Sequence, residues 1–592
     1  MNHNNFVDYL NSMNNASGNT AAALAEAQVL SDYYDKIRVE RRLGSYISDM
    51  IKEGKHITIV LTGHAGDGKT SILVQVLRDL GMLPNNTPMK EEKLYTKDGI
   101  RLYAVKDMSE LPEEKQVEFC RKALDAPLNG YSSIVISNTG PLLKCIESIR
   151  WEQCATEGIP FDESEKSELQ TRILNQLDQN SDQPIELGEY KFLMINIARI
   201  DNLSFAQEVL KKILDDELWQ PCRSCEKREK CHIRFNVEQL RKNYDRVVSF
   251  INAFYRYLYD NDMRMTIRQM LSQISFSVTG NKSCADIKTH DKERLKFEYL
   301  FSNLFFGYHG LEGIKNAEQI QGIEYARELR LDTIALSRDY SLFVAGDFSK
   351  FPPDIRSLVE RQHNIFSRKH INIDGEDDQL AVIDLEYRKA VRRAYVFYEQ
   401  CDMDSLIYNP LYDELFGEGF NNYIKLQDGT ANHKVRIEME KTLLDALYLE
   451  MTGTLSKQID EIPLTIKRND DSFQNVMVTT GKLKKQDLKV MAVSQANPFE
   501  DNGNKKKVIL KIYGKEDFYL SLPMVIYFFE IAMGAISTVA NPALTHGISK
   551  LKTILSKYGT SDDDGEISLI VNNTDKPVNV KLFIEDQLYI SR

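Results

Sequence analysis

The strongest constraint on this chain is a strand, a glycine-rich turn and a helix in direct succession between His56 and Leu80. His56–Thr62 (HITIVLT) is a short apolar run rich in β-branched residues, the length and composition of a buried strand. Ser71–Leu80 carries Ile72, Leu73, Val76, Leu77 and Leu80 at helical spacing. Between them Gly63-His64-Ala65-Gly66-Asp67-Gly68-Lys69-Thr70 meets the pattern G-x-x-x-x-G-K-[ST], with Gly66 as a third glycine. Each residue type has a reason. Glycines let backbone N–H groups wrap a phosphate, and the following helix N-terminus adds a positive dipole. A lysine at position 69 neutralises β- and γ-phosphate oxygens, and a hydroxyl at position 70 ligates Mg²⁺. Gly63, Ala65, Gly66, Asp67, Gly68, Lys69, Thr70 and Ser71 are therefore the expected ATP-binding residues, with Thr70 on the metal.

Further strands are expected at Arg101–Lys106, Ser133–Ser137 and Lys191–Ile197, with helical segments between them. That alternation predicts a parallel sheet with right-handed crossovers. The fold class is an α/β P-loop NTPase core, AAA+-like, over residues 30–236, preceded by an N-terminal tail or helix (1–29). Ala22–Gly54 reads as one helix. A helical lid (237–310) and a helical middle region (311–455) follow, then a C-terminal α+β domain (456–592). Within the last, Pro523 to about Lys557 reads as one long apolar helix.

The metal-holding acid belongs at the end of a neighbouring strand, where Asp107 stands in RLYAVKDMSE; Glu110 is placed to position the attacking water. Asn138, after the strand Ser133–Ser137, suits a polar sensor of the nucleophilic water. Arg199 follows the next strand, as a contact to nucleotide or a neighbouring subunit, or as a surface arginine. Arg264-Met265-Thr266-Ile267-Arg268 opens an amphipathic helix, and Arg268 is the expected γ-phosphate contact from the lid. Lys69, Asp107, Glu110, Asn138 and Arg268 make up the candidate catalytic set.

Of eight cysteines, three form C-x2-C-x5-C-H over Cys222, Cys225, Cys231 and His232. A C-x2-C hairpin presents two thiolates to one tetrahedral metal, with Cys231 or His232 as a third ligand. No second C-x2-C exists, and Cys284 or a histidine is left to complete the set. Structural Zn²⁺, free or redox-active thiols and an iron–sulfur cluster are the three readings.

The AGDGKT loop, the KDMSE strand end, the cysteine cluster followed by Asn236, the TIRQMLSQIS helix and the YLFSNLFFG segment (Tyr299–Gly307) occur in that order. In this the chain resembles the DptF-like ATPases of phosphorothioation-dependent DNA restriction systems, best over residues 25–310. The resemblance implies an ATPase working with partner subunits, usually called G and H, against DNA that lacks the backbone modification. No nuclease motif is evident, which leaves any cutting to a partner.

The formal net charge of −12 argues against an autonomous, non-specific nucleic-acid binder. DNA is expected to be reached through the complex. No apolar run reaches the ~18 residues of a membrane span and the first twenty residues lack a signal-peptide core, so a cytoplasmic protein with no membrane partner is expected. The competing function classes are a motor or switch ATPase in DNA defence, a nucleotide-regulated signalling ATPase that senses a protein or phage component, and a non-hydrolysing scaffold.

Overall fold

Five consecutive buried residues, Thr58–Thr62, form β1 at the centre of the main sheet in the computed structural model of the chain. The structure describes residues 3–13, 31–85, 87–158, 160–287, 296–307, 317–371, 378–402, 404–454, 460–466, 476–494, 499–501, 505–534, 542–559, 566–572, 577–584 and 588–591. These divide into two compact units. One comprises Met1–Arg256, Arg264–Cys401 and Asn497–Gly503; the other comprises Tyr257–Met263, Asp402–Ala496 and Asn504–Arg592. The segments read as lid and middle region, up to Cys401, thus belong largely with the α/β core.

The first unit holds a six-stranded sheet of β2 (Glu92–Lys97), β3 (Ile100–Val105), β4 (Ser132–Ile136), β1, β6 (Tyr190–Asn196) and β5 (Ile185–Leu187), in that spatial order. β3, β4, β1 and β6 run parallel, with Val60 opposite Val135 on one side and Met194 on the other. The two edge strands β2 and β5 pair antiparallel and escaped the sequence reading. β2 is mostly exposed and charged (EKLYTK), which blunts the sheet edge but removes the apolar signature of a strand. Alternation along β1 splits the core between two faces. Ile59 and Leu61 pack with Leu43, Ile47, Ile72 and Leu73, whereas Val60 packs with Phe119, Ile146, Ile173 and Met194. Each such side chain contributes about 1.5–3 kcal/mol on burial. Because the four central strands are parallel, the residues that follow β1, β3, β4 and β6 leave from one edge of the sheet.

The expected helix over Ala22–Gly54 is two helices where it is described, Tyr34–Ile37 and Arg42–Lys52, with extended backbone at Arg38 and Arg41. The cause is tertiary. The Gln75 side chain accepts from the Arg41 N–H (2.9 Å), the group a continuous helix would use, and donates to the Arg41 carbonyl (3.0 Å), which also accepts the first bond of the second helix from Ser45 (3.3 Å). Positions 22–30 lie outside the described residues. The expected helical lid opens on two helices, His232–Lys242 and Tyr244–Asp260. Helix α1 (Asn5–Met13) opens the chain, α2 (Lys69–Asp79) follows the glycine loop, and α3 (Ile267–Thr279) starts with a capping box between Thr266 and Gln269. Phe250, Phe254, Phe305 and Phe397 pack edge to face in an aromatic core, Phe250 and Phe397 at 4.7 Å.

The second unit is α+β, with two antiparallel sheets. One is β9 (Leu488–Ser494), β10 (Lys506–Ile512) and β11 (Glu516–Tyr519); the other is β7 (Glu461–Ile466), β8 (Val476–Lys484), β12 (Glu566–Asn572), β13 (Pro577–Ile584) and β14 (Leu588–Ser591). The long helix expected from Pro523 to Lys557 ends at Ala532, and a second helix covers Pro542–Ser556. Gly534, at φ +92, takes the chain out of the helical region. Among the described residues no helix is long and apolar enough to cross a membrane.

Candidate functional site

β1 delivers the chain into the glycine loop at the carboxyl edge of the sheet, and α2 leaves it from Gly68, a left-handed N-cap at φ +87. Gly66 is required twice over. Its φ is +90, and a Cβ there would stand 3.1 Å from Thr266 Oγ1 and 3.2 Å from the Arg268 Cβ. The loop is held that closely against the start of α3, where the Arg268 N–H donates to the Gly66 carbonyl at 3.2 Å.

Asp67 is almost wholly buried beneath the loop. Its Oδ2 accepts from the His64 N–H at 2.9 Å, and its Oδ1 meets the Arg264 guanidinium at 2.9 Å. Arg264 also donates to the carbonyls of Ile197 (3.1 Å) and Ile200 (3.4 Å), just past β6. Glycine loop, strand end and the start of α3 are thus one bonded network. The Asp67 side chain, of a residue the sequence placed among the nucleotide contacts, serves this network with both its oxygens. Arg264 was visible only as a neighbour of Arg268; nothing local signals a partner so far away in the chain.

Lys69 is buried to 8% exposure, and its ammonium donates to the carbonyls of Gly63 (2.8 Å) and His64 (3.0 Å). Burial lowers its pKa; the carboxylates of Asp107 and Asp67 act in the opposite sense, and Arg268 adds to the lowering. Burial also lowers the pKa of Arg268. A cavity of about 230 Å³ opens beside the loop. Ala65, Gly66, Gly68, Lys69, Thr70 and Ser71 line it, together with Asp107 and Arg268. Its other walls include Tyr9, Tyr34, Ile37, Phe205, Val209 and Leu271 as well as Arg38 and Arg41, residues that the sequence did not connect with the loop. The lining therefore combines cationic side chains and the glycine loop with apolar and aromatic side chains.

Asp107 caps the short turn Met108–Glu110, its Oδ1 accepting from the Ser109 N–H at 3.0 Å. The Glu110 side chain falls outside the described residues. The Asn138 N–H donates to Ser109 Oγ at 2.7 Å, and the hydroxyls of Thr62 and Thr139 are 3.0 Å apart. The ends of β1, β3 and β4 are thereby tied together. Asn138 itself is exposed and is not among the residues lining the cavity. Arg199 pairs with Asp178 at 2.8 Å on the surface, away from that lining.

A second cavity, of about 200 Å³, is lined by Cys222, Cys225, Cys231 and Cys284. All four are partly buried and free of disulfides. Burial raises the pKa of Cys222 and Cys284, and pushes the Cys231 thiol up to about 11. His232 faces elsewhere. Its Nε2 lies 2.9 Å from the Thr279 carbonyl and its ring rests on Tyr299 at 4.5 Å, so the expected role as a ligand beside Cys231 gives way to core packing. Among the described residues no three His, Cys, Asp or Glu side chains are gathered to hold a metal ion. Cys222, Cys225 and Cys231, the cysteines expected to hold Zn²⁺, line this cavity together with Cys284.

No protein-family model matches this chain, and no curated protein matches it.

Proposed function

We propose that this protein is an AAA+-like P-loop ATPase, the ATP-hydrolysing subunit of a multi-protein bacterial DNA restriction or anti-phage defence complex that depends on phosphorothioation. The observation that carries the ATPase reading is that Lys69, Thr70, Asp107 and Arg268, which arrive from three separate stretches of chain, line one cavity together with apolar and aromatic side chains. The strand order bears on it as well: β4, which leads to Asn138, lies between β1 and β3, so Asp107 follows a strand one removed from β1 where a direct neighbour was expected, and the three candidate groups still leave one edge of the sheet.

The chemistry assigned to these residues is positioning and charge stabilisation. The loop N–H groups and Lys69 hold the β- and γ-phosphates of the substrate ATP. The base stacks among Tyr9, Tyr34 and Phe205. Arg268 meets charge developing on the γ-phosphate. The Thr70 hydroxyl and the Asp107 carboxylate are hard oxygen donors on the same cavity, the type Mg²⁺ takes. That ion would polarise the phosphoryl oxygens. Asn138 or Glu110 orients the attacking water.

The defence role rests on the resemblance in motif order, with DNA contacted through partner subunits in keeping with the net charge of −12. The experiment is the ATPase rate of the chain alone, with duplex DNA, and with DNA plus the partner subunits. Stimulation by DNA in the presence of partners is expected. Turnover indifferent to DNA favours a signalling ATPase that senses a protein or phage component, and ATP binding without turnover favours a scaffold.

A further inference from the structure

Arg41 is only 5% exposed, yet it lines the cavity beside the glycine loop. Its guanidinium is unevenly satisfied. Nε is paired with the Asp501 carboxylate, while Nη1 is buried with no hydrogen-bond partner among the described residues. Arg38, on the same lining, likewise has a buried Nη1 without a partner there. Buried polar groups in folded proteins are almost always bonded, and leaving a charged donor unbonded costs more than leaving a neutral one. Two such donors on one cavity match a ligand that brings acceptors into it.

The Nε side of Arg41 is fixed from far along the chain. Asp501 lies in Asn497–Gly503, which belongs to the first unit although β9 and β10, the strands before and after it, belong to the second. Phe499 anchors this segment. It is buried in the sheet core with Leu43, Ile47 and Ile51 and meets the Tyr46 ring edge-on at 5.3 Å. Asp501 Oδ1 accepts from the Arg42 N–H at 2.7 Å, and Oδ2 accepts from Arg41 Nε. The helix Arg42–Lys52 has no cap from its own N-terminal side chain, so Asp501 supplies that bond. One carboxylate thus caps the helix and holds the guanidinium at the cavity wall.

We propose that Arg41 contacts the bound nucleotide and that Asp501 is its positioning residue: Nη1 donates to a phosphate or nucleoside acceptor, and the carboxylate sets the guanidinium for that bond. The inference rests on the nucleotide reading of the cavity and adds a contact that reading does not use. A filled site holds Arg41 at both ends, and with it the segment Phe499–Asp501.

The test measures the affinity of the full chain for ATP, ADP and adenosine by calorimetry. Arg41→Ala should weaken ATP binding about 10- to 100-fold, the factor that corresponds to one hydrogen bond from a charged group. A loss shared with adenosine puts the contact on the nucleoside; a loss confined to ATP and ADP puts it on phosphate. Asp501→Ala should weaken ATP binding less, and should add nothing in the Arg41→Ala background. A purely structural Asp501 would cost the same in both backgrounds. Parent-like affinity in a folded Arg41→Ala chain, or full additivity of the two changes, overturns the proposal. If the substituted chains fail to fold, amide hydrogen exchange in the unsubstituted chain decides: bound ATP should slow exchange at Phe499–Asp501, and unchanged exchange overturns it. An unsubstituted chain that binds no ATP brings down the nucleotide reading as well, whereas ATP binding that survives Arg41→Ala intact sinks the Arg41 contact alone.

Discussion

The Asp67 carboxylate and the Arg264 guanidinium meet at 2.9 Å, joining the glycine loop to the start of α3 across 197 residues of chain. Asp67 has no exposed side-chain surface and Arg264 has 16%, so neither charge can turn to water in place of the other. Arg264→Ala should therefore destabilise the first unit by about 3–5 kcal/mol, the usual result of leaving a buried charge unpaired. Asp67→Asn combined with Arg264→Ala should lose clearly less than the sum of the single changes in denaturant unfolding. Strict additivity would show that the contact has no energetic content.

Gly66→Ala places a methyl group against Thr266 and Arg268 at a φ of +90. Strain of roughly 1–3 kcal/mol is expected. Because the affected contact also sets the loop, ATP affinity should fall along with the unfolding temperature. Gly99 is a matched control. Its φ is +82 with nothing within 4 Å of a Cβ, so Gly99→Ala should show the backbone penalty without the loss of affinity. Equal ATP binding by the two variants would refute the close-packing account.

Lys69→Ala removes the ammonium bonded to the Gly63 and His64 carbonyls while leaving the sheet core untouched. Circular dichroism should be unchanged and ATP turnover abolished, since no other lysine lines the cavity. A folded Lys69→Ala chain that hydrolyses ATP at the parent rate would sink the ATPase reading.

Asp107→Asn keeps the cap on Ser109, because an amide oxygen can accept the same bond, but removes the carboxylate beside Lys69. ATP binding should persist while hydrolysis slows by orders of magnitude, about what loss of metal-borne charge stabilisation implies. Single-turnover kinetics separate the two steps. A parent-like chemical step in Asp107→Asn would move the metal-holding role to another acid.

The sequence by itself determined what depends on neighbours along the chain. The strand before Gly63, the turn itself and the helix after Gly68 follow from β-branched, glycine and periodic apolar residues within one short segment. The central strands β3, β4 and β6 were legible for the same reason: both their faces are covered, so they read as continuous apolar runs. Tertiary structure alone decided the rest. β2 is a charged edge and carries no strand signature until β3 pairs with it. Arg41 is extended where its N–H bonds the Gln75 side chain in place of a helical carbonyl. His232 looks like a ligand in sequence and is a core residue because Thr279 and Tyr299 lie where it points. Tyr9, Tyr34 and Phe205 reach the loop, and Cys284 reaches the other three thiols, only through long-range packing. Periodicity and capping act over a few residues and can be read from the chain. Which distant side chains share a cavity is set by the burial of whole faces against one another, and no local pattern encodes it.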